Sequence, residues 1–227
     1  MLKRILEPEV MDSEEDAVDY DAMNHADVNR VFVADLLKET RNHGTEFTND
    51  SVLLDVGTGT ALIPILFCQR TGFGSVVAID LATEMLRLAA RHISDSGLTD
   101  RVRIERVDAK SMPYDDGQFD AVMSNSIVHH IPEPSLVFGE MLRVLKPGGL
   151  LFVRDLMRPA DQRTLDRLVT TYAGEESDHA CQLFRDSLHA ALTVDEVREI
   201  LRSYGCPDDW VSQTSDRHWT VSGVKPG

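Results

Sequence analysis

A short apolar run that leads into two closely spaced glycines most constrains how this chain folds. Residues 52–61 read Val-Leu-Leu-Asp-Val-Gly-Thr-Gly-Thr-Ala, and another apolar segment follows them. This order predicts a buried strand, a tight turn and the N-terminus of a helix, an arrangement whose free backbone N–H groups cradle nucleotide-like ligands. We therefore expect a ligand site at the end of this strand.

Two residues beside the glycines indicate which ligand the turn receives. A dinucleotide site holds a pyrophosphate at this turn, and the carboxylate of Asp55, two residues before Gly57, would repel it. Position 62 is Leu62, where the dinucleotide fingerprint G-x-G-x-x-G has its third glycine. An acid at this place suits a ligand with an ammonium group and a positively charged sulfur. The pattern therefore favours S-adenosylmethionine over NAD.

Length and composition predict one ordinary globular domain over residues 1–227. Hydrophobic residues make up 42% of the chain and charged residues 27%, which is enough apolar material for a sizeable core. The 3 cysteines are widely spaced and odd in number, so neither a disulfide framework nor a metal site is expected from them. The apolar runs are too short to span a membrane and no signal segment is recognised, so we expect a cytoplasmic location without a membrane span.

The acidic charge argues against nucleic acid as a partner. The formal net charge is -15, and residues 1–50 alone carry 13 acidic and 5 basic side chains. A chain of this charge has no whole-surface attraction for polyphosphate backbones. We interpret the acidic N-terminal part as a solvated surface, with a face toward a cationic substrate as the alternative.

Strand and helix patterns alternate from residue 51 to residue 154. This alternation predicts an α/β fold with a doubly wound, mostly parallel sheet, in which ligands bind beyond the carboxyl ends of the strands. Two later strands lie too close in sequence for a helical crossover, so they should pair antiparallel. The seven predicted strands are 52–56, 75–79, 102–107, 119–124, 150–154, 210–214 and 218–224.

Helical patterns outside this alternation predict a lid. Residues 1–45 read as an N-terminal helical cap whose second helix covers about 26–42, and residues 159–190 read as an insertion of two helices. Because the insertion follows the end of a strand, both regions are expected to roof the ligand crevice. A capping box is predicted at 193–196 before a further helix. The apolar stripe predicted for the second helix consists of Val31, Phe32, Ala34, Leu36 and Leu37.

Three acids, Asp55, Asp80 and Asp108, stand at the ends of the first three predicted strands. A carboxylate at position 80 can accept hydrogen bonds from both hydroxyls of a ribose. Asp108, which precedes Ala109, can accept a hydrogen bond from an adenine amino group. Residues 124–126 add short polar groups. Each acid alone would be interpreted as a helix cap or a solvated loop, but together with the glycine turn they indicate a bound adenosine ligand.

Five segments at their observed spacing are together highly specific. They are 54–60 (Leu-Asp-Val-Gly-Thr-Gly-Thr), 78–86 (Ala-Ile-Asp-Leu-Ala-Thr-Glu-Met-Leu), 107–109 (Val-Asp-Ala), 119–122 (Phe-Asp-Ala-Val) and 141–149 (Met-Leu-Arg-Val-Leu-Lys-Pro-Gly-Gly). With them the chain resembles the class I S-adenosylmethionine-dependent methyltransferases, especially the small-molecule group that includes the ubiquinone/menaquinone C-methyltransferases. The resemblance covers roughly residues 50–155. The family has a glycine at position 61, where this chain has Ala61.

The resemblance implies a Rossmann-like methyltransferase fold with S-adenosylmethionine as cofactor and S-adenosylhomocysteine as product. It places Asp55 at the methionine amino group, Asp80 at the ribose diol and Asp108 at the adenine edge. Tyr20 matches an N-terminal tyrosine that helps to close such sites. The residues implied to bind the cofactor are Tyr20, Asp55, Gly57, Thr58, Gly59, Asp80, Leu81, Met85, Asp108, Ala109, Asn125 and Ser126.

The implied reaction needs few catalytic side chains, because placing the acceptor in line with the methyl group lowers the activation barrier by roughly 7–11 kcal/mol. A general base is needed only if the acceptor must lose a proton. His129, directly after the fourth strand, is the candidate catalytic base, and the alternative is that His129 and His130 form a packing and turn feature. No metal site is expected, because the spacing of His179, Cys181 and His189 fits no common zinc pattern.

Three other functions were weighed against methyl transfer to a small-molecule acceptor. A nucleic-acid methyltransferase would carry a Pro-Pro-aromatic run where residues 126–128 read Ser-Ile-Val. An NAD(P)-binding oxidoreductase is opposed by Asp55, by Leu62 and by the lack of a Tyr-x-x-x-Lys pair. A non-catalytic S-adenosylmethionine-binding protein stays open, because a fold and a cofactor site do not guarantee turnover. Neither the acceptor atom nor the oligomeric state can be read from the sequence.

Overall fold

The computed structural model describes residues 2–7, 12–22 and 26–227, which contain eight α-helices and seven strands. The helices are α1 (Glu14–Ala22), α2 (Ala26–His43), α3 (Leu62–Arg70), α4 (Thr83–Asp95), α5 (Pro134–Val144), α6 (Gln162–Ala173), α7 (Asp178–Ala190) and α8 (Val194–Ser203). The strands are β1 (Val52–Val56), β2 (Ser75–Asp80), β3 (Val102–Arg106), β4 (Phe119–Asn125), β5 (Leu145–Leu156), β6 (Val211–Gln213) and β7 (His218–Val224).

All seven strands belong to one sheet with the order β3-β2-β1-β4-β5-β7-β6. Strand β1 pairs in parallel with β2 and β4, and Leu54 lies opposite Val77 on one side and Val122 on the other. Strands β2 and β3 are also parallel, whereas β6 and β7 are antiparallel. The predicted doubly wound, mostly parallel seven-stranded sheet is therefore confirmed. Its winding reverses between β1 and β4, which is where such folds bind ligands.

The chain divides into two compact units. The larger unit consists of Val10–Asn125, Leu136–Val153 and Ser222–Gly227, and the smaller unit consists of Met1–Glu9, Ser126–Ser135 and Arg154–Val221. Strands β5 and β7 contribute residues to both. The expectation of one domain with a helical cap and an insertion stays a prediction.

The larger unit has an aromatic core beside the sheet. The rings of Phe32 and Phe152 meet edge to face with centroids 5.0 Å apart, and those of Phe47 and Phe67 do so at 5.7 Å. Such edge-to-face pairs add about 0.5–1.5 kcal/mol to the gain from burial. This core fixes α2 and α3 against the sheet, and with them the turn that follows β1.

Helix α2 buries a different stripe from the one predicted. Val31 is 55% exposed and Ala34 is exposed, so the prediction was wrong at these two positions, whereas Val33 is fully buried. The buried face includes two polar residues, which a purely apolar stripe overlooks. Its residues are Asn29, Phe32, Val33, Leu36 and Thr40.

The run Lys-Pro-Gly-Gly at 146–149, which is typical of the end of a helix, lies in the first part of β5. The backbone explains the difference, because Gly148 N–H donates to the carbonyl of Lys225 at 2.8 Å and Lys225 N–H donates to that of Gly149 at 3.0 Å. The C-terminal end of the chain therefore extends the strand. Helix α5 begins at Pro134 rather than Ser135, since proline suits the first turn of a helix.

The smaller unit holds α6, α7 and α8, each with a side-chain cap. The predicted capping box is confirmed, with Glu196 N–H bonded to Thr193 and the Glu196 carboxylate bonded back to Thr193 N–H. The two helices predicted within 159–190 are α6 and α7. No helix within the described ranges combines the length and the apolar character that a membrane crossing requires. The buried apolar cluster of this unit is Leu156, Leu165, Leu168, Val169, Leu188 and Ala191.

Candidate functional site

The predicted glycine turn connects β1 to α3. Gly57 and Gly59 have φ angles of 74° and 55°, in the left-handed region that glycine adopts without steric cost. The N–H groups of Gly57 and Thr58 both donate to the carbonyl of Ile79, at 2.9 and 2.8 Å. The turn is therefore tied to the end of β2.

Ala61 completes this turn in a conformation that favours glycine. Its φ is 61° and its side chain is fully buried at the N-cap of α3. A left-handed backbone costs an L-residue with a Cβ roughly 1–2 kcal/mol. The chain therefore keeps the turn geometry at position 61 despite the added methyl group.

A cleft that is open to solvent lies beside this turn. Helices α1 and α2, the segment from β1 to α3 and the end of β4 all contribute to it. Five of the residues predicted to bind the cofactor meet here. The lining residues are Tyr20, Asn29, Asp55, Gly57, Thr58, Thr60, Leu62, Ile63 and Asn125.

Asp55 places a buried carboxyl group in the cleft, with only 2% of the residue exposed. Burial raises its pKa to about 7, the Thr58 hydroxyl acts to lower the pKa, and the charge of Asp80 raises it further. No cationic side chain of the described residues contributes to this balance. Because a buried charge without a partner is costly, the cleft has a place for a cation.

Asp80 ends β2, and two backbone groups orient its carboxylate. Oδ2 accepts from Gly59 N–H at 2.8 Å, and Oδ1 accepts from Ala82 N–H at 2.9 Å. Burial raises the pKa of Asp80 above its ordinary value, although hydrogen bonds from Ala82, Gly59 and Leu81 act to lower it. Each carboxylate oxygen has a further lone pair for a ligand hydroxyl.

Tyr20 lies over the glycine turn. A Cβ atom built on Gly59 would lie 3.7 Å from Cε1 of Tyr20, which is ordinary van der Waals contact. Burial and the charges of Asp80, Asp55 and Asp21 raise the pKa of Tyr20 to about 12, so its phenol keeps its proton near neutral pH. Its ring packs against an apolar cluster that consists of Ala17, Ala82, Met85 and Leu88.

Seven of the twelve predicted cofactor residues lie outside the lining of this cleft: Gly59, Asp80, Leu81, Met85, Asp108, Ala109 and Ser126. The Asp108 carboxylate accepts from Lys110 N–H at 2.9 Å and lies 3.1 Å from Lys110 Nζ. Desolvation acts to raise the pKa of Asp108, but the hydrogen bonds and charge of Lys110 hold it below the ordinary value. The side chain is therefore an ionised acceptor beside the end of β3.

Ser126 and His129, the remaining predicted site residues, belong to the smaller unit. Ser126 has a φ of 59°, and its N–H donates to the carbonyl of Arg154 at 2.9 Å. His129 is 3% exposed, and its Nδ1 lies 2.5 Å from Oδ1 of Asp155. Burial acts to lower the pKa of His129, but the carboxylates of Asp155 and Glu7 raise it above the ordinary value. Both ring nitrogens of His129 therefore face acids.

Sequence reasoning missed four residues that line the cleft: Asn29, Thr60, Leu62 and Ile63. Asn29 carried a usable signal, because it is a polar residue on the buried face of α2. The other three follow the glycines directly, and their side chains carry no diagnostic chemistry. Ser124, expected with its neighbours at the cleft mouth, is fully buried, and its hydroxyl donates to the carbonyl of Val56 at 2.8 Å.

A family model described as a methyltransferase domain matches residues 54–153 of this chain. Two relatives are both named ubiquinone/menaquinone biosynthesis C-methyltransferase UbiE. The one from Idiomarina loihiensis is 30% identical over 122 residues, which is 53% of this chain and 48% of that protein. The one from Roseobacter denitrificans is 31% identical over 150 residues, which is 65% of this chain and 59% of that protein. The chain thus spans about half the length of these relatives.

Solved structures share the fold over nearly the whole chain. A SAM dependent methyltransferase from Aquifex aeolicus aligns with a TM-score of 0.66 at 20% identity, covering 92% of this chain and 97% of that one. A protein from Methanococcus maripaludis aligns with a TM-score of 0.72 at 17% identity, covering 98% of both chains. At this identity the likeness concerns the fold alone, and it extends beyond the matched domain into both units.

Proposed function

We propose that this chain, whose residues 54–153 match a methyltransferase domain model, transfers a methyl group from S-adenosylmethionine to a small-molecule acceptor. The observation that carries the proposal is the buried carboxyl group of Asp55 beside the glycine turn. The Asp55 carboxylate would pair with a positive charge, and the amino group of S-adenosylmethionine carries such a charge. When bound, S-adenosylmethionine supplies an electrophilic methyl group on a positively charged sulfur.

The cleft residues fit the amino-acid end of the donor. The Asp55 carboxylate would hold the ammonium group, with the Thr58 hydroxyl beside it in the cleft. Gly57 and Gly59 let the ligand approach the backbone closely, because neither carries a Cβ. Asn125, at the end of β4, would lie near the methionyl part.

The nucleoside end has its own residues in this proposal. Asp80 would accept from the ribose hydroxyls, since two backbone N–H groups already fix its orientation. Leu81 and Met85 would lie beside the adenine, and Asp108 with Ala109 would meet its edge. Tyr20, protonated near neutral pH and packed over Gly59, would cover the ligand.

Two residues of the smaller unit keep roles that rest on the sequence alone. Ser126 is proposed near the methionyl end of the donor. His129 stays the predicted general base for an acceptor that must lose a proton. Because methyl transfer depends mainly on alignment, an acceptor that needs no deprotonation requires no such base.

The choice of a small-molecule acceptor has two supports. The relatives named above act in ubiquinone and menaquinone biosynthesis according to their names. The net charge of -15 and the sequence Ser-Ile-Val at 126–128 argue against a nucleic-acid substrate. We therefore favour an uncharged or cationic small molecule over RNA or DNA.

A radiolabel assay tests this proposal. The protein is incubated with methyl-tritiated S-adenosylmethionine and panels of phenols, hydroquinones, amines and thiols, with tRNA and DNA in parallel. We expect label in a small-molecule product together with one S-adenosylhomocysteine per methyl group transferred. Asp55→Asn should lose this activity, whereas Asp95→Asn, which changes an exposed acid of α4, should keep it. Label found only in nucleic acid, or product formation unchanged by Asp55→Asn, would contradict the proposal.

A further inference from the structure

In the smaller unit, three side chains from two distant parts of the sequence lie close together. They are Glu7, His129 and His130, and one potential ligand atom from each lies within 4.8 Å of the other two. We propose that this cluster binds a divalent transition-metal ion through Glu7 Oε1, His129 Nε2 and His130 Nδ1. The proposal does not depend on methyl transfer.

The distances match those between neighbouring ligands of one ion. Glu7 Oε1 lies 3.5 Å from His129 Nε2 and 3.2 Å from His130 Nδ1. A tetrahedral zinc ion with bonds of about 2.0–2.1 Å sets its ligand atoms roughly 3.3–3.4 Å apart. The ligand atoms of His129 and His130 lie within 4.8 Å of each other.

Burial and hydrogen bonding also favour a ligand role for Glu7. Its side chain is 9% exposed, and its Oε1 has no hydrogen-bond partner among the residues described. The other oxygen, Oε2, accepts from the Ser187 hydroxyl at 3.2 Å, which fixes how the carboxylate points. A buried carboxylate oxygen in this state is costly unless a cation meets it. His130 is 22% exposed, so the cluster has an open side for the ion and a water molecule.

Asp155 orients His129 in the way that partners of metal-binding histidines do. Its Oδ1 faces Nδ1 of the ring at 2.5 Å, while its Oδ2 accepts from Val128 N–H at 2.6 Å. A histidine that gives its Nδ1–H to a carboxylate presents the lone pair of Nε2 to a metal and becomes a stronger ligand. The carboxylate of Asp155 therefore fixes the tautomer that the proposal needs.

The N-terminal segment that carries Glu7 is itself held in place. The Arg4 guanidinium donates to the carbonyls of Ala190 at 2.7 Å, Ile131 at 2.8 Å and His129 at 3.2 Å. Ile5 N–H donates to the carbonyl of His189 at 3.1 Å. These bonds fasten the segment to the loop with the two histidines, so the three ligands are positioned before an ion arrives.

The ligand types select the class of metal. Two imidazoles and one carboxylate suit zinc and its neighbours in the first transition row, whereas Mg²⁺ and Ca²⁺ prefer sites made of oxygen. With its Nε2 bound to a metal, His129 has no lone pair left for general-base catalysis. The competing explanation of the cluster is an ion pair between Glu7 and protonated histidines.

Calorimetry with Zn²⁺ on the chelator-treated 227-residue chain tests the proposal. We expect one zinc ion per chain, no heat from Mg²⁺, and affinity that falls about 10- to 100-fold in Asp155→Asn and at least as much in Glu7→Gln. The matched control is His179→Ala with Cys181→Ser on α7, which should bind like the wild type. Cobalt substitution should give the visible absorption of a tetrahedral site in the wild type and not in Glu7→Gln.

Circular dichroism of each metal-free variant confirms that it is folded before it is titrated, and His130→Gln is the second ligand variant should Glu7→Gln fail to fold. The absence of zinc binding, binding that survives both ligand variants, or binding lost in the α7 control would overturn the assignment. Titrations of the same samples with S-adenosylhomocysteine report separately on the methyltransferase site. A failure of one proposal is thus distinguishable from a failure of the other.

Discussion

Asp80 accepts a hydrogen bond from the backbone N–H of Gly59 at 2.8 Å, which joins the end of β2 to the turn that follows β1. The same carboxylate also accepts from Ala82 N–H, at the start of α4. One side chain therefore organises two backbone segments around the cleft and still presents free lone pairs. This dual use makes Asp80 sensitive to substitution in a way that an exposed acid is not.

Asp80→Ala should weaken binding of S-adenosylhomocysteine by roughly 10- to 100-fold, because hydrogen bonds to a charged group contribute about 1.5–3 kcal/mol each. Isothermal titration calorimetry measures the change, with Asp95→Ala on the exposed face of α4 as the matched control. Unchanged affinity in Asp80→Ala would remove the ribose assignment.

Binding of S-adenosylhomocysteine should strengthen as the pH rises through 7. Because burial raises the pKa of Asp55 to about 7, the free carboxyl is mostly protonated at pH 6 and must lose its proton to pair with an ammonium group. Affinity should therefore increase by about tenfold between about pH 6 and pH 8. In Asp55→Asn this dependence should disappear, leaving weak binding at every pH. A wild-type affinity that is flat over this range would show that Asp55 does not take part.

Asp55→Asn should stabilise the ligand-free protein at high pH. The folded pKa of about 7 lies above the ordinary value of 3.8, so the wild type loses stability as the pH rises from about 4 to about 7. The amide carries no charge and escapes this loss. Urea unfolding should show the variant gaining on the wild type with pH until the difference levels off above pH 7. A constant difference would mean that Asp55 ionises normally in the folded chain.

Ala61→Val should destabilise the fold by about 2 kcal/mol or more, since a β-branched residue at a φ of 61° in a fully buried turn is both strained and overpacked. Ala61→Gly, the matched control, should change the free energy of unfolding by less than about 1 kcal/mol, because relief of strain offsets the lost methyl contact and the added chain entropy. Denaturant unfolding measures both. A valine variant as stable as the wild type would be inconsistent with the left-handed turn.

Local patterns predicted the elements of the fold well. The glycine turn, the capping box of α8 and the antiparallel pairing of β6 with β7 all follow from short-range chemistry. The predictions that were wrong depended on contacts between residues distant in sequence. Pairing with Lys225 draws residues 146–149 into β5, and helix packing rather than hydropathy exposes Val31 while burying Val33.

The site residues at strand ends were predictable from the sequence. Contacts that depend on tertiary packing were not. Asp55 and Asp80 lie where their motifs place them. Nothing local indicates that Ser124 is buried with its hydroxyl bonded to the carbonyl of Val56. The cluster around Glu7 was invisible for the same reason, because 122 residues separate it from His129.

The central claim is that a buried acid beside a glycine turn selects an adenosyl ligand that carries an ammonium group. Parallel calorimetric titrations of the purified protein with S-adenosylhomocysteine and with NADH test it most directly. We predict one S-adenosylhomocysteine bound per chain, a marked loss in Asp55→Asn, and no binding of NADH. Saturable binding of NADH with no response to S-adenosylhomocysteine would contradict the account.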